Sequence, residues 1–527
     1  MTKITGRSLI GFREGNGSGE PHYAPNPTTG QRLEPGFIPA TNEEVDLAVR
    51  LAAQAFAAYS RTTGHQRGAF LRAIAAKIES ISAEIVERAG RETGLPQARL
   101  QGETARTCAQ LRLFAEVAEE GSWVSARIDR ADPGRKPAPK PDIRSLLRPL
   151  GPVVVFGASN FPLAFSVAGG DTASALASGN TVIVKAHAAH PGTSELVGQM
   201  VRESVRECGL PEGVFSLLFG SGAEIGTSLM KHSLVKAGGF TGSRTAGRIL
   251  MDIAASRPEP IPFYAEMSST NPVFILPGAL RERGDAVAAA LHTSFTMGAG
   301  QFCTKPGMVF LPAGREADSF TDKLQQLVAG SAPFHLLTKS IHSAYDSALA
   351  ERKADTSVAL VAEAPQPSEV AGFAANSALF QTDATNFLAS DLGAEIFGPT
   401  TLLVRHSIRD QILEIARSLE GQLTATIHGT EQDLRDFADL VAILENKAGR
   451  LVFNGFPTGV EVCHAMVHGG PYPSTSDGRS TSVGTRAIFR FTRPVCYQGF
   501  PDQALPAELK DSNPLGILRM VDGQTNR

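Results

Sequence analysis

Two spacings of apolar residues succeed one another along this chain, one typical of amphipathic helices and the other of buried strands. Residues 1–40 are rich in Gly, Pro and Asn and predict loops with short extended pieces. From the capping residue Thr41, apolar side chains recur at helical spacing as far as about residue 120, with an interruption near Thr93-Gly-Leu-Pro. The first part of the chain is therefore predicted to be mainly helical.

Short apolar runs dominate the pattern beyond residue 150. Each is short enough for a buried strand, and helical segments lie between them, among them 168–177 and 246–253. The clearest runs are 152–157, 181–185, 214–219, 234–240, 272–276, 306–311 and 400–404. Strands that alternate with helices in this way indicate parallel βαβ units, so the predicted fold class is α/β.

A proline-rich segment, 132–141, separates the helical part from the alternating part. Proline has no backbone N–H and cannot continue a helix. The segment is therefore predicted to be an exposed excursion between packed elements.

The bulk composition narrows the class of protein. At 527 residues the chain has room for roughly two to four domains of about 150 residues each. Its 42% hydrophobic and 20% charged residues are typical of a globular protein. A formal net charge of −3 argues against nucleic acid or an anionic membrane surface as a partner. No apolar stretch reaches the about 18 residues that a membrane-spanning helix needs.

Five cysteines are scattered along the chain without a CxxC pair. Their odd number and wide spacing indicate neither a disulfide framework nor a zinc site, and no metal is predicted. The N-terminus also lacks the apolar core of a secretory signal. These features favour a reducing, cytoplasmic location.

One of the cysteines lies in a setting suited to catalysis. The segment Gly300-Gln-Phe-Cys303-Thr follows a predicted helical run over 286–298. A thiol in such a turn can be exposed and face oriented backbone N–H groups, and both effects favour the thiolate. The alternative is a buried, inert thiol. That second interpretation is the expectation for Cys108, Cys208, Cys463 and Cys496.

Two polar residues are candidates for oxyanion and base chemistry. Asn160 follows the predicted strand 152–157, where an amide N–H can point at a developing oxyanion; the alternative is a turn residue. Glu266, in Tyr264-Ala-Glu-Met, can have a raised pKa in apolar surroundings and serve as a general base. It could equally be the partner of a surface cation.

Glycine-rich segments supply a candidate for phosphate binding. The segment 220–226 misses the GxGxxG spacing by one residue and is a weak indication. Gly242-Ser243 precedes the predicted helix 246–253, whose N-terminal amides could hold a pyrophosphate together with the Ser243 hydroxyl. A structural helix cap is the alternative.

The order and spacing of these motifs resemble the aldehyde dehydrogenase superfamily from about residue 25 to residue 500. The matching segments are Asn160-Phe-Pro, Lys185, Phe240-Thr-Gly-Ser, Glu266, Gly300-Gln-Phe-Cys and Glu395-Ile-Phe-Gly-Pro. Within the superfamily, three segments resemble the branch of α-ketoglutaric semialdehyde (2,5-dioxopentanoate) dehydrogenases. They are Ile4 to Gly11, Lys185-Ala-His-x-Ala-His-Pro and Gly300-Gln-Phe-Cys-Thr-Lys-Pro-Gly.

The resemblance implies the NAD(P)-dependent oxidation of a small-molecule aldehyde to a carboxylic acid. Cys303 would attack the aldehyde and carry a thioester, while the Asn160 amide and the Cys303 backbone N–H would stabilise the oxyanion. Glu266 would activate the hydrolytic water. Phe165 and Phe302, which flank Asn160 and Cys303, are expected to line the substrate pocket.

The resemblance also implies a cofactor site. Lys185, which is grouped with the catalytic residues as well, would bind the adenosine ribose, and Gly242 with Ser243 the pyrophosphate. Glu395 would hold the nicotinamide ribose, and Phe397 would pack beside it.

Two departures from the superfamily pattern bear on these roles. The motif at the base is Glu266-Met-Ser-Ser-Thr in place of Glu-Leu-Gly-Gly-Lys, and the missing glycines could change how freely Glu266 swings. Ala188 replaces an acidic residue that would repel a 2′-phosphate, while Lys185 and His187 offer positive or donor groups. We therefore expect NADP to be accepted and preferred, with NAD also usable.

The implied architecture has three parts. They are a Rossmann-like dinucleotide-binding domain (1–131 and 153–268), an α/β catalytic domain (269–472) and a small β oligomerisation element (132–152 and 473–500). Superfamily members form dimers or tetramers, so a homodimer or homotetramer is expected.

Other activities stay open on the sequence alone. A cysteine hydrolase or acyltransferase could use Cys303 but would not need Lys185, Ser243 or Glu395. A catalytically silent member would be expected to lack Cys303 or Glu266.

The choice of aldehyde is also open. A fatty or aromatic aldehyde is the rival to 2,5-dioxopentanoate, whose distal carboxylate needs a cation or donors. Arg112 is one candidate for that cation, and a structural ion-pair partner is the alternative.

Overall fold

The computed structural model describes residues 3–365 and 371–526. The helices are α1 (Asn42–Tyr59), α2 (Gly64–Ser80), α3 (Ser82–Thr93), α4 (Gln97–Glu120), α5 (Gly170–Ser178), α6 (Pro191–Glu207), α7 (Thr227–Lys231), α8 (Arg244–Ser256), α9 (Pro277–Thr296), α10 (Arg315–Ala329), α11 (Lys339–Ala354), α12 (Ala384–Ala389), α13 (Arg409–Ser418), α14 (Glu431–Asp436) and α15 (Ala438–Leu444).

The strands fall into short N-terminal pieces, two long alternating series and a C-terminal group. They are β1 (Leu9–Ile10), β2 (Arg13–Glu14), β3 (His22–Pro25), β4 (Arg32–Phe37), β5 (Arg127–Asp129), β6 (Ile143–Pro149), β7 (Val153–Phe156), β8 (Val182–Lys185), β9 (Phe215–Leu218), β10 (Ala237–Thr241), β11 (Phe263–Glu266), β12 (Val273–Ile275), β13 (Met308–Pro312), β14 (Phe334–His335), β15 (Ala359–Glu363), β16 (Ala374–Ala375), β17 (Ala378–Asp383), β18 (Thr400–His406), β19 (Gln422–His428), β20 (Ala448–Phe453), β21 (Thr492–Gln498), β22 (Arg519–Val521) and β23 (Gln524–Asn526).

The first large sheet has the strand order β11-β10-β7-β8-β9-β1-β2. Its strands from β11 to β9 are parallel, and β1 and β2 extend the β9 edge in antiparallel pairing. All residues of β7, β8 and β9 are buried, as expected for a parallel sheet covered on both faces. The apolar runs predicted as strands between residues 152 and 240 are thus confirmed.

The second large sheet has the order β15-β17-β18-β13-β12-β19-β20. All its neighbouring strands are parallel except β15, which pairs antiparallel with β17. Strands β12, β13 and β18 confirm the predicted runs 272–276, 306–311 and 400–404. The parallel βαβ arrangement expected from the alternating pattern therefore holds in both large sheets.

A third sheet, of order β21-β6-β5-β22-β23, is mainly antiparallel. The proline-rich segment is the exposed turn between β5 and β6, closed by a bridge between Asp132 and Lys140. Strands β5, β22 and β23 lie outside the segments predicted for oligomerisation. The limits of the three predicted parts stay predictions. Two of the predicted segments, 1–131 and 269–472, contain residues outside the described part of the chain, namely 1–2 and 366–370.

The N-terminal helices begin and end where local sequence signals place them. The Thr41 hydroxyl accepts the Glu44 N–H, and the Glu44 carboxylate accepts the Thr41 N–H, which together start α1. Helix α3 ends at Gly94, whose φ of +66° is left-handed, at the predicted interruption. Among the described residues, no helix combines the length and the apolar character needed to cross a membrane.

The carboxyl ends of the first sheet position the site. Strands β7, β8, β10 and β11 end at Phe156, Lys185, Thr241 and Glu266. Because these strands are parallel, their ends share one edge, which is where open α/β sheets bind ligands. The loop after β20 reaches this edge, since the Met267 N–H donates to the Ser474 carbonyl over 2.7 Å and Glu266 pairs with Thr475.

Candidate active site

Cys303 follows a tight turn that requires glycine. Residues 298–300 all have positive φ angles, between 57° and 67°. A Cβ on Gly300 would lie 2.2 Å from the Gly398 carbonyl oxygen, so only glycine permits this close approach. After the turn, Asn271 Nδ2 donates to the Cys303 carbonyl over 2.8 Å. The backbone is therefore fixed on both sides of the thiol.

The Cys303 sulfur lies against two side chains from distant parts of the chain. His468 Nε2 is 3.5 Å from Cys303 Sγ and 2.9 Å from Glu266 Oε1. Ser482 Oγ donates to Glu266 Oε2 over 2.7 Å. The structure thus brings the predicted nucleophile and the predicted base together, and adds a histidine and a serine that the sequence analysis missed.

The ionisation of Glu266 differs from the expectation. Burial raises the pKa of this carboxyl, but the adjacent His468 and hydrogen bonds from His468, Ser482 and Cys303 outweigh burial and leave the pKa below its ordinary value. The predicted raised pKa was wrong because the sequence showed the apolar neighbours but not the donors. Glu266 is therefore a carboxylate near neutral pH.

The Cys303 thiol also differs from the expectation. Burial, followed by the neighbouring Glu266 carboxylate, raises the pKa of the thiol well above its ordinary value. The predicted preference for the thiolate was wrong because the turn that orients the backbone also buries the sulfur. The thiol proton needs an acceptor, and Glu266, to which the thiol donates a hydrogen bond, can take it.

Asn160 is buried and bound to the same turn. The Asn160 Nδ2 donates to the Gln301 backbone carbonyl over 2.8 Å. The Asn160 backbone carbonyl accepts a hydrogen bond from Arg99 Nη2 over 2.9 Å. The described hydrogen bonds use one of the two Nδ2 hydrogens and leave the Cys303 backbone N–H unused. Two N–H donors therefore remain for an oxyanion.

Aromatic side chains lie beside these groups. Phe161 packs edge-on against Phe165 and Phe302, with ring centroids 5.3 and 5.2 Å away. The Phe165 ring is 6.1 Å from the His468 imidazole. The two phenylalanines predicted to line the pocket thus lie together, and Phe161 joins them.

The end of β8 carries residues predicted to bind the cofactor. Lys185 is buried, burial lowers its pKa to about 8, and none of the described hydrogen bonds or ion pairs uses its ammonium group. His187 Nδ1 accepts the Ala189 N–H, and burial lowers the pKa of His187 well below its ordinary value. His187 is therefore a neutral donor through Nε2 rather than a cation. Ala188, beside it, is exposed.

The N-terminus of α8 lies at the same sheet edge. Ser243 accepts the Ala246 N–H over 3.3 Å, so the alternative of a structural cap is present. Gly242 and Ser243 are exposed, and the first turn of α8 faces solvent. Lys185 is a buried cation that no described residue pairs with, and the exposed N-terminus of α8 lies at the same sheet edge. Together they fit the ribose and phosphates of a dinucleotide.

Glu395 and Phe397 are half-buried in the loop between α12 and β18. Burial raises the pKa of Glu395 to about 7, opposed by the charge of Lys305. Lys305 Nζ donates to the carbonyls of Ile396 and Thr400 over 2.8 and 2.9 Å and so fixes this loop. The residue predicted to hold the nicotinamide ribose thus lies beside a buried lysine that the sequence analysis did not single out.

Arg112 does not lie at the site. Both of its terminal nitrogens donate to the Glu79 carboxylate, over 2.6 and 2.7 Å, at the surface. The structural ion pair is therefore the correct interpretation.

His468 is the main residue that the sequence analysis missed. It lies in Val467-His-Gly-Gly-Pro-Tyr, a loop 202 positions from Glu266. A histidine followed by glycines in a loop is its only sequence signal, and loops often carry functional groups. Glu266, Cys303 and His468 offer ligand atoms within 4.8 Å of one another and could hold a metal ion; the predicted absence of a metal stays a prediction.

The fold and this site define a class of protein. A thiol beside a carboxylate base and two free N–H donors suits covalent thioester chemistry, and the adjacent sheet edge suits a dinucleotide. The site is that of a thiol-dependent, dinucleotide-using oxidoreductase. The chain belongs to the aldehyde dehydrogenase family, whose model matches residues 16–493, and NAD(P) is the cofactor typical of that family.

Comparisons with individual proteins agree with this family assignment. The chain is 50% identical to alpha-ketoglutaric semialdehyde dehydrogenase 2 of Azospirillum brasilense over 99% of both chains. It is 47% identical to alpha-ketoglutaric semialdehyde dehydrogenase of Acinetobacter baylyi over 92% of both. The solved structure of gamma-glutamyl-gamma-aminobutyraldehyde dehydrogenase from Burkholderia cenocepacia has a TM-score of 0.81 at 22% identity, covering 94% of this chain and 97% of that chain. The family, fold and enzyme class predicted from the motifs are confirmed.

Proposed function

We propose that this enzyme oxidises 2,5-dioxopentanoate (α-ketoglutaric semialdehyde) to 2-oxoglutarate. The observation that carries the substrate is the 50% identity, over 99% of both chains, to a relative named for that aldehyde. The contacts of Cys303 with Glu266 and His468 support the chemistry.

The first half of the reaction forms a bond between carbon and sulfur. Glu266 takes the Cys303 proton as the sulfur attacks the aldehyde carbon. The Asn160 amide and the Cys303 N–H hold the resulting alkoxide. NAD(P), held by Lys185, Ser243 and Glu395, would supply the acceptor for the hydride that leaves this carbon. Cys303 is left carrying a thioester.

The second half of the reaction is hydrolysis. Glu266 first releases the Cys303 proton to solvent. As a carboxylate again, it removes a proton from the water that attacks the thioester, and it passes this proton to the Cys303 sulfur as the acid leaves. His468 and Ser482 each donate to one Glu266 oxygen, over 2.9 and 2.7 Å. We propose that these bonds keep Glu266 in one position. The same motif has serines in place of the glycines of the common pattern, which also limits the movement of Glu266.

We also propose that NADP is preferred over NAD. Burial lowers the pKa of Lys185, and none of the described ion pairs gives its ammonium group a carboxylate partner. Ala188 likewise brings no negative charge to a 2′-phosphate. The value of kcat/KM for NADP should exceed that for NAD, and a value for NAD far above it would contradict the proposal.

The substrate is tested by steady-state kinetics with 2,5-dioxopentanoate, succinate semialdehyde and decanal. The proposal predicts the highest kcat/KM for 2,5-dioxopentanoate. A fatty-aldehyde enzyme, the rival to this proposal, would instead favour decanal by a large factor.

We further propose a homo-oligomer, either a dimer or a tetramer, in the reducing cytoplasm. Strands β20 and β21 are edge strands of their sheets, and β20 exposes 37% of Leu451 and 44% of Phe453. Edge strands with exposed apolar side chains are usually covered by a partner. The five cysteines are unpaired, which suits a reducing compartment. Cys208 and Cys496 are exposed, so the expectation that they are buried was wrong.

A further inference from the structure

Arg106 is a cation of the active-site region to which the reaction above gives no role. It lies on α4, and its guanidinium carbon is 5.4 Å from the centre of the Phe165 ring. Phe165 in turn packs near His468. Arg106 also interacts electrostatically with Cys303 and Glu266. Its charge is therefore close to the reacting groups.

One edge of the Arg106 guanidinium is unsatisfied. Its Nε and Nη2 are buried, and no described residue forms a hydrogen bond with either nitrogen. These two nitrogens form the edge that binds a carboxylate through two parallel hydrogen bonds. A buried charged donor without a partner is costly, so a ligand that supplies two oxygens would be strongly favoured here.

Neighbouring arginines are committed to the protein itself. Arg99 donates to the Asn160 carbonyl and its guanidinium carbon lies 4.6 Å from the Phe302 ring centre. Arg450 donates to the carbonyls of Gly459 and Pro457 over 3.2 and 2.6 Å. In the described part of the chain, Arg106 thus has the free bidentate edge next to Cys303.

Besides Glu266, two carboxylates act on Arg106 from a distance without pairing with it. Glu103 accepts the N–H groups of Leu163 and Ala164 through Oε1, and Glu461 is exposed. Neither appears among the described ion pairs of Arg106, although both favour its charge. An arginine stays protonated in such surroundings.

We propose that Arg106 binds the distal carboxylate of the substrate and so selects acidic semialdehydes over uncharged aldehydes. The proposal rests on the function proposed above and deepens it. The two end carbons of a five-carbon chain are about 5 Å apart when extended, given carbon–carbon bonds of about 1.5 Å. The Phe165 ring, 5.4 Å from the Arg106 guanidinium carbon and 6.1 Å from the His468 imidazole, would line the path of such a chain. Arg106 is thus a residue that determines specificity.

The test is the ratio of kcat/KM for 2,5-dioxopentanoate to that for pentanal, in wild type and in Arg106→Met. Because Arg106 also favours the Cys303 thiolate, both values can fall in the variant; the ratio removes this shared loss. We expect the ratio to fall on the order of 100-fold, the effect of a lost charge-assisted pair. Arg106→Lys keeps the positive charge but not the two parallel N–H donors, so the ratio should fall less in this variant. Arg112→Met, on the same helix, should leave the ratio unchanged.

A second readout does not require turnover. Glutarate should slow the alkylation of Cys303 by iodoacetamide in wild type and in Arg112→Met, but not in Arg106→Met. If Arg106→Met does not fold, Arg106→Lys with the same two readouts decides the matter. An unchanged ratio with intact glutarate protection would overturn the role of Arg106 while leaving the proposed substrate in place. A wild-type enzyme that prefers pentanal would instead overturn the proposed function.

Discussion

The reactivity of Cys303 is set by side chains that are far from it in sequence. The thiol is neutral at rest because burial and the Glu266 carboxylate both oppose its ionisation. Glu266 stays ionised because His468 and Ser482 donate to it. The pair is therefore in the state that proton transfer from sulfur to carboxylate requires, and His468 maintains that state.

Replacement of His468 by Leu tests this arrangement. The imidazole lowers the pKa of Glu266 and burial raises it, so the pKa of the carboxyl should rise when the imidazole is removed. Because Glu266 acts as a base only when deprotonated, the acid limb of the profile of kcat/KM against pH should move to higher pH. We expect kcat to fall about 100-fold. His464→Ala, at an exposed position of the same loop, is the control, and an unmoved acid limb in His468→Leu would contradict the account.

Lys185 gives a pH prediction for the cofactor. Its pKa is lowered to about 8, so the ammonium is charged below that pH and neutral above it. The ratio of kcat/KM for NADP to that for NAD should therefore fall as the pH rises through about 8. Dividing the two values removes the titration of Cys303, which both share. Lys185→Arg stays charged and should flatten the ratio; a ratio independent of pH in wild type would count against Lys185 as a contact of the 2′-phosphate.

The sequence could reveal those residues whose roles follow from a local motif. Cys303 and Asn160 follow a turn and a strand that the pattern itself predicts. His468 and Arg106 could not be found in this way, because only the folded chain brings their loop and helix to the thiol. The pKa directions of Cys303 and Glu266 were wrong for the same reason, since each depends on partners from other elements.

At the scale of elements, the site depends on the close approach of two loops. The turn 298–300 precedes the thiol, and the loop that carries Glu395 touches it at Gly398. Lys305 anchors the second loop through the carbonyls of Ile396 and Thr400. The predicted catalytic and nicotinamide contacts are thus held in one arrangement by backbone packing.

Gly300→Ala should disturb both loops at once. The added Cβ would lie 2.2 Å from a backbone oxygen, at a φ of +67° that alanine rarely adopts. We expect a loss of roughly 2 kcal/mol in the free energy of unfolding, together with a large loss of kcat. Denaturant unfolding and steady-state kinetics measure the two effects. Gly102→Ala, in an exposed turn of α4 with open space around it, should instead stabilise by about 0.5–1 kcal/mol; similar behaviour of the two variants would contradict the account.

Elements were more predictable than the contacts between them. Short uninterrupted apolar runs such as Val153–Phe156 are typical of buried strands. The Thr41 capping box marks the start of a helix within a few residues. The pairing of β5 with β22, by contrast, joins segments almost 400 residues apart. A local sequence pattern does not show which distant segments pair. The segments predicted for the oligomerisation element, 132–152 and 473–500, therefore omitted both strands.

At the scale of the whole molecule, the proposed assembly uses sheet edges. β20 closes one edge of the second large sheet, and β15 closes the other. Leu451 and Phe453 are exposed on β20, while Leu360 is exposed on β15. If β20 is an interface, lysines on it should separate the subunits, because Lys on an edge strand blocks pairing.

The double variant Leu451→Lys, Phe453→Lys should sediment as a monomer of 55.7 kDa, while the wild type sediments as a dimer or tetramer. Leu360→Lys, on the opposite edge, should keep the mass of the wild type. A monomeric wild type, or a double variant of unchanged mass, would contradict the proposed interface.

Cys303 is the residue on which the proposed oxidation of 2,5-dioxopentanoate depends. The most direct measurement is NADPH formation, followed by absorbance, when this aldehyde and NADP are mixed with wild type or with Cys303→Ala. Cofactor binding is followed in parallel by fluorescence titration. We expect rapid NADPH formation by wild type and none by Cys303→Ala, with cofactor affinity unchanged. Aldehyde oxidation by Cys303→Ala at a rate near that of wild type would contradict this expectation.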